Sequence, residues 1–330
     1  MTPQSHRTAE PSSRAFTLAA PAKINLFLNI RGLRDDGYHE ILTVLQSLSL
    51  ADQLTFEADA SGDSTVHLTC DHPALQAEID ADPTQNLIVR AAQAFWQATA
   101  RTPFGLRVHL EKRIPMAAGL GGGSADAAAT LHALNLLCDR PHDLAALQSM
   151  ARSLGADAPF MLTGGTAWAD ERGDRIHPLA APGDGHRMLL VQPRDLAMPT
   201  ALAYARARQR GGYAVHDPTP LLHALTHSQD PTAWARNDFE DVLQADLPAI
   251  EEIAVKLGAL GLRRPLLCGS GSCMAGFFPP EGFATGGREG LNEAELSAFF
   301  PEDRYWRAIC QTHPAPTFSV LTPSPKSERG

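Results

Sequence analysis

Chemistry on a phosphate group is suggested by three separated features: a glycine cluster at residues 119–123, Lys23 in an apolar run and Asp157 in a short apolar connection. The run Pro115, Met116, Ala117, Ala118, Gly119, Leu120, Gly121, Gly122, Gly123, Ser124 and Ala125 leads from a strand-like segment into an alanine-rich helical one. Glycines allow positive φ and close approach of a ligand to backbone N–H groups, and a helix N-terminus favours negative charge. Ser124 is expected to cap the helix, its hydroxyl available to a phosphate or a metal, with Asp126 in the first turn. No Gly-Lys-Ser/Thr follows and the G-x-G-x-x-G spacing fails, which disfavours Walker-type and dinucleotide-binding folds. A tight structural turn is the plain alternative. A second turn, Cys268-Gly269-Ser270-Gly271-Ser272-Cys273, could close over phosphates or brace the first.

Asp157 has no basic neighbour in its own segment, which suits a general base, but an aspartate here could equally cap a short helix starting near Pro159. Lys23 sits where a buried ammonium needs an anion, and Asp157 or a phosphate would supply it; a solvated strand-face lysine is the alternative. Tyr38 and His39 read by themselves as packed side chains.

Several elements must position these groups. Residues 22–30 alternate as a strand and put Lys23 and Asn25 on one face. A polar turn at 34–37 follows, and residues 39–50 fit strand or helix. Residues 86–100 and 124–137 have helical spacing, 106–110 a strand's alternation, and 144–154 a helix closed by Gly155. Beyond 166 come strands near 188–192, 266–268 and 306–311, and helices near 200–210 and 247–260. The expected division is a disordered 1–15, an N-terminal domain 16–165, a C-terminal domain 166–321 and a disordered tail 322–330; residues 280–291 read as a surface excursion.

Composition narrows the partners. A net charge of −9 argues against a nucleic-acid surface, while a local site can still attract a small anion. Five cysteines without C-x-x-C pairs read as reduced thiols of a cytoplasmic protein. The first fifteen residues lack a secretory apolar core, and no segment approaches the roughly 18 apolar residues of a membrane span.

In order, these motifs resemble the superfamily of galactokinase, homoserine kinase, mevalonate kinase and phosphomevalonate kinase. The run at 21–28, Pro-Ala-Lys-Ile-Asn-Leu-Phe-Leu, and the Asp-Gly-Tyr-His at 36–39 resemble its branch acting on 4-diphosphocytidyl-2-C-methyl-D-erythritol. Further matches are Leu-Gly-Ala-Asp-Ala-Pro-Phe at 154–160, Asn-Asp-Phe-Glu at 237–240 and Gly-Ser-Gly-Ser at 269–272. Ala118 and Ala158 depart from the glycine and valine common there.

The resemblance implies a two-domain α+β fold, an N-terminal ribosomal-protein-S5-domain-2-like domain and a C-terminal ferredoxin-like domain flanking a cleft. It implies ATP as co-substrate with Mg²⁺, transfer to the substrate 2-hydroxyl in the non-mevalonate isoprenoid route, Asp157 as base and Lys23 orienting that hydroxyl. It further places Asn25, Tyr38, His39, Thr200 and Tyr204 at the acceptor, and Asn86, Leu87 and Lys112 at the adenosine, beside the glycine loop. Metal ligands and oligomeric state stay open. A homoserine or mevalonate kinase would not need the Tyr38-His39 pair, and a nucleotide sensor would be expected to lose Lys23 or Asp157. A dinucleotide oxidoreductase would need the failed glycine fingerprint.

Overall fold

A computed structural model describes residues 15–59, 64–99, 102–180, 185–227, 229–243, 247–279, 291–313, 318 and 320–321. The expected disordered ends, Ala15 excepted, and nearly all of the 280–291 excursion lie outside these residues.

Strands β1 (Phe16–Leu33) and β2 (His39–Asp59) form a long antiparallel pair, so residues 39–50 are strand. After β3 (Val66–Cys70) come helices α1 (Pro73–Ala81) and α2 (Leu87–Ala98), then β4 (Gly105–Glu111). Helices α3 (Gly122–Leu137), α4 (Leu144–Arg152) and α5 (Ala158–Thr163) precede β5 (Thr166–Asp170) and β6 (Arg175–Leu179). The chain continues through β7 (Arg187–Pro193), α6 (Thr200–Arg210), α7 (Thr219–Thr226), β8 (Arg236–Asn237), α8 (Asp238–Leu243) and α9 (Pro248–Ala259). It ends with β9 (Arg263–Leu267), β10 (Met274–Phe277), α10 (Glu293–Phe299), β11 (Tyr305–Gln311) and β12 (Val320–Leu321).

Two sheets result. The first runs β12-β1-β2-β4-β3, with β5 and β6 extending from β2 and β8 parallel to β1; the second runs β11-β7-β10-β9. The sheets therefore change between Leu179 and Arg187 and not at residue 165, because β5 and β6 hydrogen-bond into the first sheet.

Residues 20–30 of β1 are buried on both faces, so Lys23, Asn25 and Asn29 are as enclosed as the apolar residues with which they alternate. Leu18 and Ala20 join Phe56, Phe95 and Phe160 in a core between the first sheet and helices α2 to α5. Ala22, Ile24 and Leu26 instead pack with Met188, Leu190, Leu266 and Ala275 of the second sheet. A third cluster joins Leu28, Ile30 and Ile41 to α6, α8, α9 and the second sheet. Each fully buried phenylalanine contributes about 1.5–3 kcal/mol, so the apolar backing holds β1 firmly.

Candidate active site

The register of β1 against β2 shifts between Pro21 and Lys23 and again between Asn25 and Phe27. Such bulges bend a strand and re-aim its side chains, and here they bracket the two polar residues expected to do chemistry. Lys23 is 3% exposed, and its Nζ donates to Asn25 Oδ1 at 2.7 Å. Asn25 Nδ2 donates to Thr43 Oγ1 at 2.8 Å, and that hydroxyl donates to the Phe27 carbonyl at 2.7 Å. The chain of bonds fixes the asparagine amide with its oxygen toward the ammonium.

Asp157 stands at the start of α5 but its side chain makes no capping bond. Its Oδ2 lies 3.4 Å from Lys23 Nζ, the lysine side chain 4% and the aspartate 35% exposed. The plain readings of both residues, as cap and as solvated lysine, therefore give way to a half-open ion pair at the mouth of a cleft.

The glycine loop crosses over this pair. Lys23 N–H donates to Leu120 O at 3.0 Å, and a Cβ on Gly121 (φ +72°) would lie 3.1 Å from Lys23 Cγ and 2.4 Å from Met161 Cε. Helix α3 starts earlier than expected: Gly121 occupies the cap position in left-handed conformation without a side-chain bond, so Ser124 lies inside the helix and does not cap it. The three glycines allow the tighter entry. Asp126 consequently falls beyond the first turn.

The second glycine turn braces the first. Cys273 N–H donates to Ala118 O at 3.2 Å, and a Cβ on Gly119 would stand 1.8 Å from Cys268 O. Asn237 ties this turn to β1 by donating to Leu267 O and Gly269 O, each at 2.7 Å, while its Oδ1 accepts from Phe239 N–H at 3.0 Å. This accounts for the Asn-Asp-Phe-Glu segment so far from the loop in sequence.

A cavity of about 560 Å³ runs along the loop. It is lined by Lys23, Asn25 and Asp157, by Asn86, Leu87 and Lys112, and by residues 115–124, with Thr200 and Tyr204 across from them. Ala125 is buried below and does not reach this surface. Tyr38 and His39 line an adjoining cavity of about 660 Å³, which shares Ala156, Arg172, Thr200 and Tyr204 with the first. There the His39 ring stacks on Tyr204 at 5.0 Å between centroids and meets Tyr213 Oη at 3.1 Å. Asn86 also caps α2 through Ile88 N–H at 2.9 Å.

Sequence reasoning missed the buried acids beneath the loop. Asp52 is fully buried; its Oδ1 accepts from the backbone of Arg113 at 2.6 Å and Ile114 at 2.8 Å, and its Oδ2 meets Lys112 Nζ. Lys112 also donates to Asp126 Oδ2 at 2.9 Å, leaving Asp126 Oδ1 buried without a protein partner. Asp52 stands among the polar residues Gln53, Thr55 and Glu57 of β2, so its surroundings in the chain carried no signal of burial. Arg172, on the β5–β6 turn, gave no signal short of its place in the fold.

Electrostatics follow from this packing. Burial pushes the Asp126 carboxyl up to about 7, opposed by Lys112 and supported by Asp52. Burial would lower the Lys112 pKa, but the Asp126 and Asp52 carboxylates reverse the effect and raise it, so it stays a cation. Burial and then Asp157 push the Tyr204 phenol up, keeping a hydrogen-bond donor at the junction of the cavities. Burial and Arg208 lower the His39 pKa, favouring neutral imidazole. Among the described residues no group of three or more His, Cys, Asp or Glu could hold a metal, and no helix is long and apolar enough to cross a membrane.

Comparison with known proteins shows the family and the fold. Residues 86–165 match the GHMP kinases N terminal domain. The 4-diphosphocytidyl-2-C-methyl-D-erythritol kinase of Synechococcus sp. strain JA-2-3B'a(2-13) is 39% identical over 325 residues, 95% of this chain and 98% of the relative. A kinase of the same name from Thermus thermophilus is 40% identical over 257 residues, 78% of this chain and 86% of the relative. A crystal structure of 4-(cytidine 5'-diphospho)-2C-methyl-D-erythritol kinase superposes with a TM-score of 0.70 at 35% identity, over 90% of this chain and 99% of that one. A homoserine kinase from Cytophaga hutchinsonii, at 13% identity and a TM-score of 0.60 over 97% of this chain and all of that one, shares the α+β fold alone. With identity near 40% along almost its whole length, the chain belongs to the 4-diphosphocytidyl-2-C-methyl-D-erythritol kinase family.

Proposed function

We propose that the Lys23–Asp157 pair transfers the γ-phosphoryl group of ATP to the 2-hydroxyl of 4-diphosphocytidyl-2-C-methyl-D-erythritol, giving the 2-phosphate and ADP for isoprenoid precursor synthesis. The observation that carries this is the position of the pair, between the glycine loop on one side and the aromatic cavity on the other. ATP lies along residues 115–124 with its adenosine toward Asn86, Leu87 and Lys112. The acceptor enters from the Tyr38–His39 side, where Tyr204 and Tyr38 offer ring faces to the cytosine and His39 a hydrogen bond. Thr200 and Asn25 flank the methylerythritol.

Asp157 takes the proton of the 2-hydroxyl as that oxygen attacks the γ-phosphorus and the bond to ADP breaks. Lys23, held by Asn25, neutralises charge developing on the transferred group, and the loop N–H groups do the same from the other side. Mg²⁺, when bound, would supply countercharge on the triphosphate, and the Ser124 hydroxyl, which lines the loop cavity, is the side-chain oxygen of the loop that would help to hold it. A cytoplasmic location fits five cysteines that form no disulfide.

The experiment is ADP release from Mg²⁺-ATP with the cytidyl substrate, homoserine, mevalonate and no acceptor compared in parallel. Selective turnover of the cytidyl substrate is expected. Preference for another acceptor would overturn the substrate assignment, and no turnover with any would overturn the kinase reading.

A further inference from the structure

Between the glycine loop and helix α6 lies a buried amide that the chemistry above does not use. Gln192 is near the end of β7, and its Nε2 donates to Met116 O at 3.2 Å and to Ser272 Oγ at 3.3 Å. The Leu196 carbonyl stands 3.5 Å from the same nitrogen and accepts from the Ser272 hydroxyl at 2.5 Å. Two of these three neighbours are carbonyl oxygens, which only accept, so the amide must turn its nitrogen toward them. One side chain thus joins the start of the glycine loop at Met116, the second glycine turn at Ser272 and the short segment 194–199 that leads into α6.

That segment delivers Thr200 and Tyr204, which lie one helical turn apart and line both cavities. A second bond runs in parallel: Thr200 Oγ1 and the buried Ser270 Oγ, on the second glycine turn, are 3.0 Å apart. Gln192 itself lines neither cavity, so whatever it does for the reaction it does through the elements it joins. Those elements carry the two partners of the transfer, the phosphates on the loop and the acceptor beside α6. An error of about 1 Å in the placing of two reacting groups can cost about a hundredfold in rate.

We infer that Gln192 is a positioning residue which, with Ser270, sets the separation between nucleotide and acceptor, so that its loss slows phosphoryl transfer without weakening either ligand. The inference rests on the proposed placing of the acceptor, and its test separates alignment from affinity. Gln192→Met keeps the length of the side chain and removes both N–H donors. Calorimetry with Mg²⁺-ADP and then CDP is expected to give affinities within about threefold of the parent and the same number of binding sites per chain. The single-turnover rate of transfer to the cytidyl substrate, with both substrates bound, is expected to fall about ten- to a hundredfold. Ser270→Ala removes only a hydroxyl and should show the same split at about three- to tenfold, which keeps the test decisive should Gln192→Met fail to fold. A merely structural role would instead lower Tm and the number of binding sites while the rate per occupied site stayed at the parent value. That outcome, or a loss carried by the affinities, would overturn the alignment role. A wild-type protein that phosphorylates a different acceptor, with the same fall in rate in the variants, would support the role of Gln192 and reject the cytidyl acceptor. No transfer to any acceptor by the wild-type protein would overturn both.

Discussion

At the scale of single residues, Asp157 and Lys23 differ in exposure: the aspartate is a third open to the cleft, whereas the lysine is sealed in β1. Asp157→Asn keeps the shape and removes the base, so kcat is expected to fall about 10²- to 10⁴-fold with ATP affinity retained, as steady-state kinetics and nucleotide titration will determine. Unchanged turnover would remove Asp157 from the chemistry. Asp126 governs a different property. Its carboxyl, raised by burial to about 7, still holds a proton between roughly pH 4 and 7 that the unfolded chain has released. The folded state binds more protons across that window, so this group makes stability decline as pH rises through it. Asp126→Asn is expected to flatten that decline, measured as a smaller loss of Tm between about pH 5 and pH 7.5 than the parent shows. Lys23 and Asp157 were legible in the sequence because a charged residue in an apolar run advertises a partner. The Asp52–Lys112–Asp126 group was not, since its three members come from β2, the end of β4 and α3, and only the fold brings them together.

At the scale of elements, the loop and its brace were readable as glycine-rich turns, but not whether the second closes over phosphates or braces the first. The close approach of Gly119 to the Cys268 carbonyl answers this: the second turn is the floor on which the first rests. Gly119→Ala meets both a left-handed φ of +77° and that carbonyl. Gly261, at φ +78° with nothing near a new Cβ, isolates the conformational part alone. Gly261→Ala should therefore cost about 1–2 kcal/mol in denaturant melts and leave KM for ATP unchanged. Gly119→Ala should cost more and raise KM for ATP beyond about tenfold, because the backbone donors move with the loop. Equal behaviour of the two variants would mean that the brace does not shape the cradle. The misplaced helix start has the same origin: a serine is the usual signal for a cap, and three glycines let the backbone turn before reaching it.

At the scale of the whole molecule, periodicity marked out separate strands and helices, and the α+β fold and its topology were supplied by the resemblance. The division near residue 165 missed the return of β5 and β6 to the first sheet because strand pairing partners are not encoded locally. The two sheets are fastened at Asn237, which lies beside Leu28 of β1 and holds the carbonyls at the end of β9. Asn237→Ala leaves those buried carbonyls without a donor and should lower unfolding free energy by about 2 kcal/mol, with activity falling in parallel as the second turn loosens. An unaffected denaturation midpoint would place the fastening elsewhere. The pairing of Thr17 and Leu18 with Leu321 and Val320 carries a consequence for biosynthesis. A ribosome releases β1 early, yet one edge of that strand waits for about three hundred further residues before its last neighbour exists. Until then the emerging chain presents an open strand edge, so the last steps of folding belong to the nearly complete polypeptide, and truncation before residue 320 should favour aggregation during synthesis.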